Sequence, residues 1–391
     1  MNVTDRLRSA LASLAERDSL RTIRPRPKGV ISLAGNDYLG AGADTALREA
    51  FFESPLSRFG LASGSSALLF GESEAHEGLR EVLRRLYGRE SLLFPSGWQL
   101  NTGFIAALAA AFGKDVFFLA DRLVHASMID GLLAAKRHGA GFLRYPHNDC
   151  AALERLLERT APKHGLVVIL TESVFSMDGD RADLARLVAL KKRWRNVLLA
   201  VDDAHGLGIS GANGRGPAEE AGAEAEIDFR ILTFGKAAAS SGAALLADPD
   251  WLALVTNHAR PLIFTTAESP LQAAWTAFVL SHVPSWSDRR ARLRTLEALV
   301  RDALGTGACA NDAPILPWIL GDNARTLEAA KRLEEAGFLV SAVRPPTVPE
   351  GTSRLRISLT SALTDVEAEA FCLALARLKR NSFSETSISR T

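Results

Sequence analysis

Lysine is scarce in this chain: nine among 46 lysines and arginines, with Lys236 the only one between Lys192 and Lys331. It closes the β-rich run Ile231-Leu-Thr-Phe-Gly-Lys236 and is followed by Ala-Ala-Ala-Ser-Ser-Gly242. Small neighbours and partial desolvation lower the pKa of an amine, leaving it free to form an imine with an aldehyde. A second stretch, Val197 to Gly208, reads Val-Leu-Leu-Ala-Val-Asp-Asp-Ala-His-Gly-Leu-Gly. Its apolar half suits a strand buried on both faces of a parallel sheet, yet it ends in Asp202 and Asp203, with His205 beyond. Packing gives no reason for such an ending, and ligands of open α/β sheets bind outside the carboxyl ends of strands. An acid there can keep a pyridinium nitrogen protonated, which makes pyridoxal 5'-phosphate an electron sink. Taken singly, Lys236 reads equally well as a solvated loop lysine and Asp202 as a helix cap. The two segments together favour the cofactor.

Other positions carry weaker signals. Ser96-Gly97-Trp98 lies between a strand and an apolar helix, so its N–H groups either bind a phosphate or simply start the helix. His125 follows a strand and precedes a helix, where an imidazole stacks on a flat ring or caps the helix. Phe175 to Asp180 carries Asp178 and Asp180, but lacks the length and ligand count of a calcium loop, and turn formation accounts for both acids. Arg354 and Arg356 share a face of an alternating strand. A guanidinium pairs bidentately with a carboxylate, and the plainer reading is a solvated face.

These residues need a scaffold, and the chain alternates accordingly. Strands are expected at Ser91–Phe94, Asp115–Ala120, Gly141–Arg144, Leu166–Glu172 and from Val197. Helices are expected at 74–87, where Leu79, Val82, Leu83 and Leu86 form the buried stripe, at Gly97–Ala111, at Ala126–Arg137, from Asp149 and at 181–194. That order predicts an α/β protein with a mostly parallel sheet covered by helices on both faces. A first helix over 4–17 places Leu7, Leu11 and Leu14 on one face and takes Thr4 as its cap. Arg21 to Gly29 is a basic, proline-broken connector, Val30–Leu33 a short strand, and 60–71 a loop of small residues. Beyond Trp251, helices at 268–282 and 286–304, a strand–helix unit at 315–336, a strand at 354–359 and a helix at 363–378 suggest a smaller α+β lobe. The expected division is an N-terminal arm (1–45), a large domain (46–284), a small domain (285–380) and a disordered polar tail (381–391).

Composition narrows the function. The net charge is +1 and 47% of residues are hydrophobic, so no global field recruits nucleic acid or a membrane surface. Cys150, Cys309 and Cys372 are too far apart in sequence for metal-ligand spacing, so no metal is expected. Residues 1–20 carry charges throughout, without a signal or transit character, which predicts a soluble cytoplasmic protein.

From about Arg21 to Leu378 the chain resembles the α-oxoamine synthases, pyridoxal 5'-phosphate enzymes of aminotransferase fold type I. The resemblance is carried by Asn36-Asp-Tyr-Leu-Gly40, Glu172-Ser-Val-Phe-Ser-Met-Asp-Gly-Asp180, Asp202-Asp-Ala-His-Gly206, Thr233-Phe-Gly-Lys236 and Arg344-Pro-Pro-Thr-Val-Pro349 with Gly351-Thr352. Ser96-Gly97 and His125-Ala-Ser127 also fit. It implies a large parallel-sheet domain, a smaller C-terminal α+β domain and an N-terminal helical arm. It further implies that Lys236 binds the cofactor covalently and moves protons at the substrate α-carbon. Asp202 would pair with the pyridine nitrogen, His205 would contact the ring oxygen and His125 would stack on the ring. Gly97, Trp98, Ser176 and Thr233 would line the cofactor, with tryptophan where the family usually has tyrosine or phenylalanine. Arg356 would hold the amino acid carboxylate, while Arg21, Asn36 and Thr352 would face the substrates. The family is homodimeric, so Thr265 or Thr266 would reach the neighbouring subunit's phosphate.

The Arg344-Pro-Pro-Thr-Val-Pro349 run points to the biotin branch: a decarboxylating condensation of L-alanine with a pimeloyl thioester, carried on CoA or a carrier protein. A sister reaction of glycine with acetyl-CoA, and a noncatalytic partner subunit of the same fold, are the alternatives. Besides Trp98, three departures from the family stand out. Alanines replace a glycine-containing run after Lys236, Glu268 stands where an apolar residue is common, and the connector before Ile31 is short.

Overall fold

The strand Leu166–Glu172 shows how the sequence builds the scaffold: all seven of its residues are buried. Val168 and Leu170 join one apolar core while Val167 and Ile169 join another, as the two-residue period of a strand requires. A strand between two cores needs helices on both faces, and the computed structural model, which describes residues 2–306 and 313–384, has them. In chain order the strands are β1 (Ile31–Ser32), β2 (Glu90–Phe94), β3 (Val116–Asp121), β4 (Gly141–Tyr145), β5 (Leu166–Glu172) and β6 (Val197–Asp202). They continue as β7 (Phe229–Thr233), β8 (Ala243–Ala247), β9 (Ile315–Gly321), β10 (Phe338–Leu339), β11 (Ser341–Val343) and β12 (Ser353–Ser358).

The chain forms two compact units. One comprises Asp37–Ser176 and Asp180–Ala291 and holds a seven-stranded sheet of order β2-β8-β7-β6-β5-β3-β4. β7, β6, β5, β3 and β4 are parallel; β8 runs antiparallel to both β7 and β2, so β2 points the same way as the parallel strands. The expected mostly parallel sheet therefore contains one reversed strand. The chain order reverses between β3 and β5, which marks that point of the carboxyl edge as the place for a ligand. Helices Gly97–Phe112, Ala126–Ala135 and Pro249–His258 contribute to one core, and Cys150–Thr160 and Leu184–Lys191 to the other. The last of these is shorter than expected because Asp183 caps it. A short helix, Ala67–Phe70, interrupts the segment expected to be loop.

The other unit comprises residues 1–36, 177–179 and 292–391, so its divisions lie at 36/37 and 291/292 where the sequence suggested 45/46 and 284/285. It contains an antiparallel sheet of order β11-β12-β9 and the parallel pair β1–β10. The Ser358 N–H donates to Leu33 O at 2.8 Å, tying β12 to the end of β1. Phe338 and Phe371 meet in the core with ring centroids 5.1 Å apart. The first helix, Val3–Glu16, is capped by Asn2 rather than Thr4: the Asn2 side chain takes the Asp5 N–H while Asp5 takes the Asn2 N–H, a reciprocal capping box. Its Leu7, Leu11 and Leu14 are exposed. The last helix, Asp365–Ser384, runs through residues 381–384, where a disordered tail was expected; the rest of that tail and Cys309 lie outside the described residues. Among the described residues no helix is long and apolar enough to cross a membrane.

Candidate active site

The carboxyl edge of the seven-stranded sheet gathers most positions expected to hold a cofactor. β6 alternates faces so that Asp202 falls on the same side as Ala200, toward the helix Gly97–Phe112. There it is 4% exposed, and its Oδ2 accepts from Asn101 Nδ2 at 2.9 Å, its Oδ1 from the Ala204 N–H at 3.0 Å. The second Asn101 N–H donates to Ser127 Oγ at 3.0 Å, and Ser127 Oγ lies 2.7 Å from His125 Nδ1. Because the Ser127 backbone N–H also points at Nδ1 (3.3 Å), that nitrogen is an acceptor and the ring proton sits on Nε2. Burial lowers the His125 pKa; Asp202 pulls it up and Lys236 pushes it down. The imidazole is thus held neutral and oriented through a four-residue chain from Asp202.

Lys236 follows β7, and its Nζ donates to Thr233 Oγ1 at 2.9 Å. Thr233 in turn packs against Gly97, the first residue of its helix: a Cβ on Gly97 would stand 2.5 Å from Thr233 Cγ2. Glycine here is a requirement of close approach. Trp98 presents its ring edge-on to His125, with centroids 5.8 Å apart. His205 is buried, its Nδ1 2.6 Å from the Tyr38 hydroxyl. Gln99 Nε2 donates to Thr265 Oγ1 at 3.3 Å, so Thr265 is tied to its own chain's helix start, while Thr266 is exposed.

The neighbouring acids separate by role. Asp203 turns away from Asp202 and is locked by Arg230, whose Nε and Nη2 lie 2.9 and 2.5 Å from Oδ2, and by the Ser173 hydroxyl. It is a structural ion pair. Glu172, opposite Asp202 in the β5–β6 register, has its pKa raised well above the ordinary glutamate value, by burial first and by the Asp202 charge second. Ser176 lies on the loop closed by the Val174–Arg181 bridge. His147 clamps that loop, with Nε2 2.6 Å from Asp180 Oδ2 and Nδ1 2.9 Å from Asp121 Oδ1. Asp178 pairs with Arg354. Both acids of the Phe175–Asp180 run are therefore engaged by side chains, and among the described residues no cluster offers a metal site.

The other unit holds the expected substrate residues. Arg356 is buried, donating to Ser358 Oγ at 2.6 Å and to Asn36 Oδ1 at 3.0 Å, so these two predicted positions do meet. Arg354 shares its face but is also buried, which overturns the solvated-face reading. The Thr352 hydroxyl closes a turn on Pro349 O at 2.7 Å, and Arg21 donates to Pro345 O at 3.2 Å. Asn101, Ser127, Tyr38 and Glu172 were assigned no role from sequence. Asn101, one turn into a helix that is wholly apolar from Gly103 to Phe112, is the signal that was available.

These residues fit pyridoxal 5'-phosphate. Asp202 is a buried carboxylate whose hydrogen-bond donors among the described residues are both neutral, which leaves its charge for a cationic ring nitrogen. An amine, a neutral imidazole and a glycine-opened helix start surround it. The sequence profile of the family "Aminotransferase class I and II" matches residues 28–375. The chain belongs to that family and is a pyridoxal 5'-phosphate enzyme of the α-oxoamine synthase type. It is 42% identical to a protein of Glaesserella parasuis serovar 5 over 91% of this chain and 95% of that one, and 41% identical to one of Pasteurella multocida over 92% of each. Both relatives bear the name "Putative 8-amino-7-oxononanoate synthase". Among solved structures, a serine palmitoyltransferase of S. paucimobilis with PLP bound superposes with a TM-score of 0.87 at 26% identity, covering 97% of this chain and 99% of that one. An 8-amino-7-oxononanoate synthase of Francisella tularensis shares the fold, with a TM-score of 0.72 at 23% identity over 91% of this chain and 100% of that one.

Proposed function

We propose that the enzyme condenses L-alanine with a pimeloyl thioester, giving 8-amino-7-oxononanoate, carbon dioxide and the free thiol, as a cytoplasmic homodimer. The observation that carries this reading is one sheet edge holding a lysine amine, a buried carboxylate and a neutral imidazole, in a chain 42% identical almost end to end to proteins of that name. Bound pyridoxal 5'-phosphate supplies an electron sink for a carbanion at the amino acid α-carbon. Lys236 holds the cofactor through Nζ and afterwards takes and returns the α-proton. Asp202 keeps the ring nitrogen protonated, and Asn101 keeps Asp202 in place. His125 packs on the ring, His205 takes the ring oxygen, and Gly97, Trp98, Ser176 and Thr233 line the cofactor. Arg356, its fork fixed by Asn36 and Ser358, reads a carboxylate, with Arg21 and Thr352 as further substrate contacts. The α-carbon of alanine bonds to the thioester carbonyl carbon, the thiol leaves, and the alanine carboxylate departs as carbon dioxide. Leu68, Leu69, Phe70 and Phe264, exposed on the single chain, support a second copy as partner, with Thr265 or Thr266 reaching its phosphate.

The test is thiol release by the cofactor-loaded protein with pimeloyl-CoA, comparing L-alanine with glycine and wild type with Lys236→Ala. Alanine-dependent release that vanishes in the variant is expected. Release with glycine alone, or with acetyl-CoA alone, would move the enzyme to a sister reaction. Full activity of Lys236→Ala would overturn the mechanism.

A further inference from the structure

The loop that carries Lys236 is held from outside itself. Lys236 opens a tight turn whose carbonyl accepts the Ala239 N–H at 2.8 Å, and Ala239 stands at φ +47, a left-handed conformation that a residue with a Cβ rarely adopts. The neighbouring helix, Pro270–His282, grips this point. Trp275 Nε1 donates to Ala239 O at 2.9 Å. The next residue does likewise: Thr276 gives its own proton to Gln272 O at 2.8 Å, so Ser240 must be the donor in the 2.7 Å Ser240–Thr276 hydroxyl pair. Consecutive helix residues therefore hold consecutive loop residues. Trp275 is itself fixed, edge-on to Phe51 at 5.1 Å and stacked on Phe278 at 6.1 Å. Alanines occupy the run after the lysine, so the left-handed turn must be imposed by a contact.

We propose that Trp275, seconded by Thr276, is a positioning residue for Lys236: it imposes the left-handed turn at Ala239 and thereby sets where the lysine amine stands beside Thr233. This rests on the reading that Lys236 binds the cofactor. Without the clamp the Ala239 backbone relaxes toward negative φ, the turn on the Lys236 carbonyl opens, and the amine loses its fixed station.

The experiment compares wild type with Trp275→Phe, which keeps a ring but removes the N–H, with Thr276→Val, and with Trp275→Phe combined with Ala239→Gly. In cofactor-free protein, amide hydrogen exchange over 235–242 is measured; with pyridoxal 5'-phosphate added, its affinity and the pH midpoint of the lysine-bound absorbance band are measured. Trp275→Phe should speed exchange in this segment, weaken cofactor affinity about five-fold, the worth of one buried hydrogen bond, and move the midpoint. Thr276→Val should act in the same direction, and it decides the matter if Trp275→Phe folds poorly. Ala239→Gly should return affinity and midpoint toward wild type in the Trp275→Phe background, because glycine takes positive φ without the clamp; a change due to packing alone would not be rescued. Unchanged exchange, affinity and midpoint in the single variants, or no rescue by glycine, would overturn the proposal. A band that survives Lys236→Ala would instead overturn the role of the lysine.

Discussion

Glu268 offers a measurement in which the burial of one acid is read directly as stability. It is 7% exposed, neither carboxyl oxygen has a hydrogen-bond partner, and both lie 2.6 Å from where a Cβ on Gly242 would stand, at the foot of the Lys236 loop. His76 reaches its backbone carbonyl rather than its carboxyl, and Glu72, which lines the same small cavity, is paired with Arg80. Burial therefore acts alone and pushes the Glu268 pKa from 4.5 up to about 8. An acid with a raised folded pKa keeps a proton that the unfolded chain has already released, so stability falls as pH rises between these two values. At ~1.4 kcal/mol per tenfold step in proton affinity, the penalty is under ~1 kcal/mol at pH 5 and approaches ~5 kcal/mol at pH 9. Glu268→Gln cannot ionise, so its advantage over wild type should grow by about 4 kcal/mol across that range. With an unfolding entropy near ~2.1 cal/mol/K per residue, the gap in melting temperature should widen by roughly 5 °C. The assay is thermal unfolding of both proteins at pH 5, 7 and 9 at constant ionic strength. Any fixed cost of burying the amide shifts all three gaps equally. A gap that stays constant from pH 5 to 9 would refute the reasoning.

Three further outcomes are expected. Gly97→Ala drives a Cβ into Thr233 and should cost about 1–3 kcal/mol in thermal or denaturant unfolding, and Thr233→Ser, which removes the offending methyl, should recover much of it. Asn101→Ala removes a donor to a buried carboxylate, and equilibrium dialysis should show cofactor affinity at least five-fold weaker, with His125 less well fixed. Burial would lower the His147 pKa, but hydrogen bonds and charges from Asp121 and Asp180 outweigh it and raise it from 6.5 to about 10. Its contribution to stability is complete below pH 6.5 and is lost as pH rises through 10, so His147→Gln should flatten the alkaline limb of the stability curve; identical limbs would count against the clamp.

The sequence made the central strands legible because strands buried on both faces must be continuous apolar runs. Leu166–Glu172 and the Val197 strand stand where the pattern places them. β8 was missed because Ala-Ala-Leu-Leu-Ala carries no β-branched or aromatic residue; its strand character comes from the ladders on either side. β10 and β11 are too short for any period to register. Lys236, Asp202 and His125 stand out in the sequence because each breaks an apolar or small-residue context, and the structure gathers them at one sheet edge. The contacts that fix the site were not legible, because the Asn101–Asp202 and Tyr38–His205 pairs span 101 and 167 residues of chain. Arg354 and Arg356 look alike on an alternating strand, and only the fold gives Asp178 to one and Asn36 to the other.

The position of β8 also fixes when the site can exist. β2 lies at the sheet edge and is laddered only to β8 among the described strands, yet it is synthesised long before residues 243–247. Until those residues leave the ribosome, β2 is an unpaired apolar edge, and the helix start at Gly97 has no strand to hold it against Thr233. A nascent chain that already carries Asp202, His125 and Lys236 therefore still lacks the Gly97–Thr233 contact. Pairing of β2, and with it the close approach of Gly97 to Thr233, waits for the one reversed strand, whose Ala243 and Ala244 ladder to Phe94 and Leu93 on one side and to Thr233 and Leu232 on the other.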